Sequence, residues 1–213
     1  MRFARIERAP PFVPPVWALR GDDQAVADFI AARIRADREC FFAMPPGLSS
    51  RRILQDLAGR RLPWNRATLY TTDESPPRAG ERGNSFNLLA ERFRLTAAWL
   101  APLTPGLVPP RFDLTWLGMD SDGRIASLST PDCVAASPAP AVCKVTGQRR
   151  GELPASHLAL NPAALLNAEE IIIVIRGARE RSLLERAVRG QSDLPLTHLL
   201  RSTRRAIRIF WTA

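Results

Sequence analysis

The sequence is poor in several residue types and patterns that would indicate particular classes of protein. It has three cysteines in 213 residues, without CxxC spacing, so neither a disulfide framework nor a zinc site is indicated. Its longest apolar runs, at 40–44 and 171–175, are far shorter than the roughly 20 residues that span a bilayer. The first residues carry charges and prolines instead of a signal-peptide stretch. We therefore expect a cytoplasmic protein that does not enter a membrane.

Lysine is almost absent, although the chain is strongly basic. Of the 30 basic residues only Lys144 is a lysine, and the formal net charge is +9. That charge is compatible with nucleic-acid binding, which predicts an affinity that falls steeply with salt. The arginines are scattered along the chain without interleaved aromatic residues, however, and a bias toward arginine codons explains them as well. We do not expect nucleic acid as a partner.

The remaining composition is that of an ordinary globular protein. Apolar residues make up 46% and charged residues 24% of the chain, and its length suits one compact domain. Prolines at positions 10, 11, 14 and 15 disfavour regular structure at the start. We predict a single domain over residues 1–213, with residues 1–20 as an irregular N-terminal lead-in.

Helical and strand patterns alternate after this lead-in. Apolar spacing predicts helices over 23–38, 51–58, 85–93 and 182–188, and short apolar runs predict strands over 40–44, 68–72, 112–117, 171–175 and 206–211. Strands that are apolar on both faces and alternate with helices are typical of a mostly parallel sheet covered on both sides. The predicted fold is therefore α/β: a doubly wound, mostly parallel, Rossmann-like sheet.

Ligands of such sheets bind at the carboxyl ends of the strands. This rule selects the segments that follow predicted strands, namely 45–50, 73–75, 118–128 and 176–181. Residues 129–155 contain four prolines and little periodicity, apart from 141–145, and we predict a surface excursion there. We expect the functional residues in the four selected segments.

One segment carries a specific family resemblance. Residues 112–128 read FDLTWLGMDSDGRIASL. This resembles the most specific motif of the 6-phosphogluconolactonase family, in which FD and an apolar stretch precede LGMG, one further residue and DGHTASL. The chain therefore resembles a divergent member of that family.

Other segments follow in the family's order and at about its spacing. PGLSS at 46–50 stands where the family has GGSTP, and LYTTDE at 69–74 stands where it has a strand and DER. The segments 84–87, 157–160, 164–168 and 177–180 also resemble family segments, so the resemblance covers roughly residues 20–210. It implies the doubly wound fold shared with glucosamine-6-phosphate isomerases, and hydrolysis of 6-phosphogluconolactone in the pentose phosphate pathway.

Hydrolysis of a phosphorylated sugar lactone needs a group that activates water and donors that stabilise an oxyanion. The resemblance points to Asp73, Asp122 and His157 as residues that orient or activate water. Arg124 stands where the family has its catalytic histidine, and a guanidinium stays protonated at neutral pH. We therefore expect Arg124 to bind an anion at the catalytic site.

A cationic and hydrogen-bonding site is also needed for the phosphate. The resemblance suggests Gly47, Ser49 and Ser50 in the loop before a helix, together with Gly123 and Arg179, as substrate-binding residues. Serine hydroxyls at a helix N-terminus favour an anion. The expected partner is a phosphorylated sugar lactone, and the reaction requires neither a metal nor an organic cofactor.

The sequence departs from the family pattern at Pro46, Ser75, Asp120, Arg124 and His157. These departures keep a second hypothesis open, a non-catalytic sugar-phosphate-binding or regulatory protein on the same fold. A third hypothesis, isomerisation of an amino sugar phosphate, also needs a base and is weakened by the same missing histidine.

Overall fold

The secondary structure alternates between strands and helices along most of the chain. The computed structural model describes residues 12–45, 47–74, 84–119, 122–128, 140–147 and 155–213. The strands in these ranges are β1 (Val16–Trp17), β2 (Cys40–Met44), β3 (Ala67–Thr71), β4 (Trp99–Ala101), β5 (Phe112–Gly118), β6 (Val142–Gly147), β7 (Ala155–Leu160), β8 (Ala168–Arg176) and β9 (Ile207–Thr212). The helices are α1 (Asp23–Ala31), α2 (Arg51–Gly59), α3 (Ser85–Phe93), α4 (Pro162–Leu166), α5 (Gly177–Val188) and α6 (Pro195–Ser202), with single 3-10 turns at Leu48–Ser50 and Trp64–Arg66.

Seven of these strands form one sheet in the order β1-β9-β8-β5-β2-β3-β4. Every neighbouring pair in the sheet is parallel. Each predicted strand is present, with ends that differ by at most three residues. The predicted doubly wound α/β fold is confirmed.

Both faces of the sheet are covered, which explains why its strands are apolar on both sides. Helices α1, α2 and α3 pack on one face with residues such as Ile30, Leu54 and Phe93. Helices α4, α5 and α6 and the β6–β7 hairpin pack on the other face. Alternate residues of β5 serve the two faces: Trp116 belongs to the first cluster and Leu117 to the second.

Helix α1 ends earlier than its apolar spacing predicted. Its N-cap is Asp22, whose carboxylate accepts the N–H of Ala25 at 3.0 Å. The helix stops at Ala31 and not at residue 38. The Arg33 guanidinium donates to the carbonyl oxygen of Phe29 at 2.6 Å and so satisfies a carbonyl of the last turn. The chain then turns, and Ile34 is buried outside the helix.

The prediction of a surface excursion over residues 129–155 is wrong for its described part. Residues 142–147 form β6, which pairs antiparallel with β7 in a hairpin. Val142 and Val145 are buried in the core against the sheet. Because these side chains are buried in the core, tertiary packing imposes strand structure on a segment whose local pattern is weak.

Other short elements were not predicted, namely β1, β4, α4 and α6. Strand β1 lies inside the predicted irregular lead-in, where Val16 and Trp17 pair with β9 at the edge of the sheet. None of the helices in the described ranges has the length and apolar character to cross a membrane.

Candidate functional site

The order of the strands reverses between β2 and β5. After β2 the chain adds β3 and β4 on one side, and then returns to add β5, β8 and β9 on the other. A crevice at the carboxyl ends of the strands is the usual ligand site at such a reversal. The ends of β2 and β5 approach closely here, since a Cβ atom on Gly118 would lie 3.1 Å from the Cβ of Pro45. The candidate site lies above these two strand ends.

Asp73 follows β3 at this edge, and its side chain is held by hydroxyl groups. The residue is 9% exposed. The hydroxyl of Thr72 donates to its Oδ1 at 3.2 Å, and the hydroxyl of Ser127 donates to its Oδ2 at 2.7 Å. Each carboxylate oxygen therefore has a donor, and the direction of the carboxylate is defined.

Ser127 belongs to the turn after β5, which folds back toward the strand that it leaves. Met119 and Ile125 form a β-bridge, and the N–H of Ala126 donates to the carbonyl oxygen of Gly118 at 3.3 Å. Ala126 and Ser127 have φ angles of +49° and +62°, which non-glycine residues rarely adopt. Such conformations cost about 1–3 kcal/mol each and are concentrated at functional sites.

The same turn contains three predicted site residues, Asp122, Gly123 and Arg124. The Arg124 guanidinium donates through Nε to Asp122 Oδ2 at 2.8 Å, and its backbone N–H donates to Oδ1 at 3.2 Å. Gly123 has a φ of +84°, and a Cβ there would lie 2.6 Å from a methyl carbon of Leu194. The backbone conformation therefore favours glycine at 123, and a Cβ there would also displace the Leu194 side chain.

His157 reaches this region through the hairpin. Strand β7 continues past the end of β3, where Asp73 and Ala159 form an antiparallel bridge. The bonds on either side confirm the register: the Leu160 N–H donates to the Thr72 carbonyl at 3.0 Å, and the Glu74 N–H donates to the Leu158 carbonyl at 2.7 Å. His157, two residues before Ala159, thus lies on the same face as Asp73, as a diagonal neighbour about 7–8 Å away by backbone spacing.

The predicted phosphate loop precedes α2. Ser50 is fully buried, and its hydroxyl lies 2.8 Å from the carbonyl oxygen of Gly47 and also contacts that of Pro45. The hydroxyl of Ser50 therefore orders the loop. Ser49 is exposed, and it remains the hydroxyl that a ligand at this loop could reach.

Arg179 lies in the first turn of α5, which begins directly after β8. Gly177 has a φ of +82° at this junction, and the indole N–H of Trp211 donates to its carbonyl oxygen at 2.9 Å. Among the residues that the structure describes, exposed Arg179 forms no ion pair. A free cation thus stands at the carboxyl edge, on the far side of β5 from the loop at 47–50.

Hence the structure brings Asp73, His157 and the turn at 122–128 together, and places Gly47, Ser49, Ser50 and Arg179 on flanking connections of the same edge. The sequence differs from the family pattern at five positions. Three of these lie outside the described residues, namely Pro46, Ser75 and Asp120.

Sequence reasoning missed several residues at this edge. Ser127 was part of the quoted motif, but nothing in the sequence of that motif showed that its side chain contacts Asp73. The carboxylate of Glu74 accepts the N–H of Leu103 at 2.6 Å. Burial raises the pKa of the Glu74 carboxyl; the hydrogen bond from Leu103 lowers this pKa, and the nearby charge of Asp73 raises it further. Arg51 and Arg52 are exposed in the first turn of α2, where the helix dipole disfavours cations. In the sequence, the position of these two arginines directly after Ser49 and Ser50 could have indicated that they belong to the predicted phosphate loop.

Comparison with known proteins gives a consistent result. The family model described as Glucosamine-6-phosphate isomerases/6-phosphogluconolactonase matches residues 88–211, which is more than half of the chain. The protein therefore belongs to this family. A 6-phosphogluconolactonase of Helicobacter pylori (strain J99) is 24% identical over 204 residues, covering 86% of this chain and 88% of the relative.

Solved structures with similar folds include two 6-phosphogluconolactonases. The enzyme of Shewanella baltica OS155 matches with a TM-score of 0.77 and 18% identity, over 95% of this chain and 99% of that one. The enzyme of Trypanosoma brucei matches with a TM-score of 0.76 and 16% identity, over 92% and 95%. At these identities the match establishes the fold.

Proposed function

We propose that this protein hydrolyses 6-phosphogluconolactone to 6-phosphogluconate. Family membership and the match over most of a 6-phosphogluconolactonase relative support this reaction. The observation that carries the proposal is the buried Asp73 carboxylate, which is fixed by two hydroxyl groups at the carboxyl edge of the sheet. In the reaction, water adds to the lactone carbonyl carbon, the bond from that carbon to the ring oxygen breaks, and the ring oxygen takes up a proton.

Asp73 is the base in this proposal. Arg124, at the position of the family's histidine, cannot accept a proton from water because its guanidinium stays charged. Asp122 is half-exposed and is engaged by Arg124, so it serves to position that arginine. Asp73 is held in the crevice instead, and a carboxylate in that place can take the proton of an attacking water.

His157 is the second proton-transfer group. Its side chain shares a face with that of Asp73, and its ring nitrogens are shielded from solvent. The backbone spacing of about 7–8 Å between diagonal neighbours places the two side chains close enough to act on one reacting group. His157 is suited to orient the water or to protonate the departing ring oxygen.

The anion is held by the groups that flank this pair. The Arg124 guanidinium is a cation held in this turn by Asp122, and an arginine can give charge-assisted hydrogen bonds to an oxyanion or to phosphate. Arg179, Ser49 and the pair Arg51 and Arg52 provide cations and a hydroxyl on the two connections beside β5. An anion there would relieve the unfavourable placement of two cations at the N-terminus of α2.

The wider setting follows from the same reaction. The whole chain would act as one domain in the cytoplasm, in the pentose phosphate pathway and without a nucleic-acid partner. Many arginines support this last point because they are engaged by acids, as in the ion pairs of Arg35 with Asp37 and of Arg60 with Asp28 and Asp56. Such pairs reduce the positive field that a polyanion would need.

One observation favours a second candidate, a sugar-phosphate-binding protein without hydrolysis. The catalytic position of the family is occupied by an arginine that is paired with Asp122. This arrangement suits anion binding and offers no base at that position.

The test measures lactone hydrolysis by the purified protein against the spontaneous rate. We expect a clear excess, a loss of about 10²–10⁴-fold in kcat for Asp73→Asn, and unchanged activity for Asp56→Asn. Asp56 is the matched control because it is a surface carboxylate on α2 that pairs with Arg60. Calorimetry with 6-phosphogluconate separates the two candidates. Binding without hydrolysis would support the second candidate, and neither binding nor hydrolysis would contradict both.

A further inference from the structure

The turn after β5 holds two consecutive non-glycine residues in the left-handed region, Ala126 and Ser127. Glycine would adopt this backbone without steric cost, yet neither position has it. The turn is held by the bond from Ala126 N–H to Gly118 and by that from the Leu128 N–H to the Ile125 carbonyl at 2.8 Å. The strained geometry is therefore imposed by the way the chain returns to the end of β5.

This geometry has one clear consequence for side chains. The methyl group of Ala126 is buried in the core, and the Ser127 hydroxyl points to Asp73, 54 residues earlier in the chain, at 2.7 Å. The hydroxyl of Thr72 is the second donor, but its bond to Asp73 is longer, at 3.2 Å. The shorter of these two bonds thus comes from the strained residue.

We propose that Ser127 is a positioning residue for Asp73: its hydroxyl fixes the direction of the carboxylate toward the attacking water. This inference rests on the proposed function of Asp73. The terminal torsion of an aspartate is broad and soft, so an anchored oxygen restricts a rotation that the backbone leaves open. Small displacements of a reacting group reduce catalysis strongly, by about 10²-fold for 1 Å.

A structural role alone predicts something different. If Ser127 only satisfied a buried carboxylate, its loss would lower stability without a specific effect on turnover. If the turn backbone were the important feature, relief of strain at either residue would have the same effect. The two adjacent left-handed residues provide a matched pair of variants that separates these cases.

The experiment compares Ser127→Gly with Ala126→Gly. Both changes relax a left-handed residue, and only the first removes a hydroxyl. We expect Ser127→Gly to lower kcat by about 10- to 100-fold with KM within about threefold of wild type. Ala126→Gly should stay within about twofold in both constants. In an Asp73→Asn background, Ser127→Gly should cause no further loss, because a residue that acts through Asp73 cannot act without it.

Equal losses in the two glycine variants, or the same loss from Ser127→Gly with and without Asp73, would overturn the proposal. Crystal structures of both variants add a readout that does not depend on activity. We expect the Asp73 carboxylate to rotate in Ser127→Gly and to keep its direction in Ala126→Gly. If the wild-type protein does not hydrolyse the lactone, that result contradicts the lactonase function but not the positioning role of Ser127. An unmoved Asp73 in Ser127→Gly would then contradict the positioning role separately.

Discussion

The guanidinium of Arg124 donates through Nε to Oδ2 of Asp122 at 2.8 Å, two residues away in the turn after β5. The side chain of Arg124 is 18% exposed and that of Asp122 is 54% exposed, so the acid is at the rim and the arginine is the more enclosed partner. At the position where the family resemblance places a histidine base, this chain thus has a paired cation. The proposed reaction therefore needs another base, and Asp73 is the buried carboxylate that two hydroxyl groups hold at this edge.

Restoration of the family's histidine should therefore compensate for a lost Asp73. Residue 124 is three positions from Ser127, at most about 11 Å along the chain, and Ser127 contacts Asp73. We expect the double variant Asp73→Asn/Arg124→His to recover at least tenfold in kcat over Asp73→Asn at pH 8. The recovery should fade below pH 6, since an ordinary imidazole becomes protonated at about 6.5.

The control for this rescue is Asp73→Asn/Arg124→Gln. It removes the same cation without supplying a base. Equal activity in the two double variants would show that residue 124 cannot serve as the base in this turn.

Arg179 should contribute to substrate binding more than to turnover. Removal of a cation that contacts phosphate weakens the binding of the substrate and of the transition state equally. KM therefore rises while kcat changes little. We expect Arg179→Ala to raise KM by about tenfold, as for loss of a charge-assisted hydrogen bond. Arg186→Ala is the matched control, because Arg186 is exposed in the last turn of the same helix. Steady-state kinetics of both variants decide the point, and equal KM values would exclude Arg179 from the phosphate site.

The two histidines of the chain form a natural comparison. His157 lies beside the candidate site, whereas His198 lies on α6 and contacts Asp193 at 2.9 Å. We expect His157→Gln to lower kcat by at least tenfold at neutral pH, because the glutamine amide forms hydrogen bonds but does not transfer a proton there. His198→Gln should keep wild-type kinetics. An active His157→Gln enzyme would leave Asp73 as the sole proton-transfer group of the proposal.

Glu74 should make stability depend on pH. Burial raises the pKa of its carboxyl, so the folded protein holds this proton more tightly than the unfolded chain does. The free energy of unfolding therefore falls as pH rises from the ordinary glutamate value through the raised one. In Glu74→Gln this contribution is absent, and the Gln oxygen can still accept the N–H of Leu103.

We thus expect the Tm of Glu74→Gln to exceed that of wild type by a few degrees at pH 7, with a smaller difference at pH 4. Thermal unfolding at both pH values measures this. A difference that is constant or larger at pH 4 would contradict a raised pKa at Glu74.

The fold was largely predictable from the sequence because its signals are local. The apolar runs at 40–44 and 171–175 are strands buried on both faces, and the apolar spacing at 85–93 coincides with α3. The hairpin β6–β7 was missed because its strand structure comes from packing of Val142 and Val145 on distant residues. Helix α1 is shorter than predicted because the chain turns after Ala31, where the Arg33 side chain satisfies the Phe29 carbonyl that the ended helix leaves open.

For the candidate site, the sequence alone specifies which chemical groups are present and which are missing. A carboxylate follows β3, an arginine replaces a histidine at 124, and serines precede α2. Which of these groups contact one another follows from the folded arrangement of the strands and turns. It ties Arg124 to Asp122, turns the hydroxyl of Ser50 inward, and brings Ser127 to Asp73 through a left-handed turn. The contact of Ser127 with Asp73 joins residues 54 positions apart in the chain. The geometry of all three contacts depends on strand register and turn conformation, which local residue preferences do not specify.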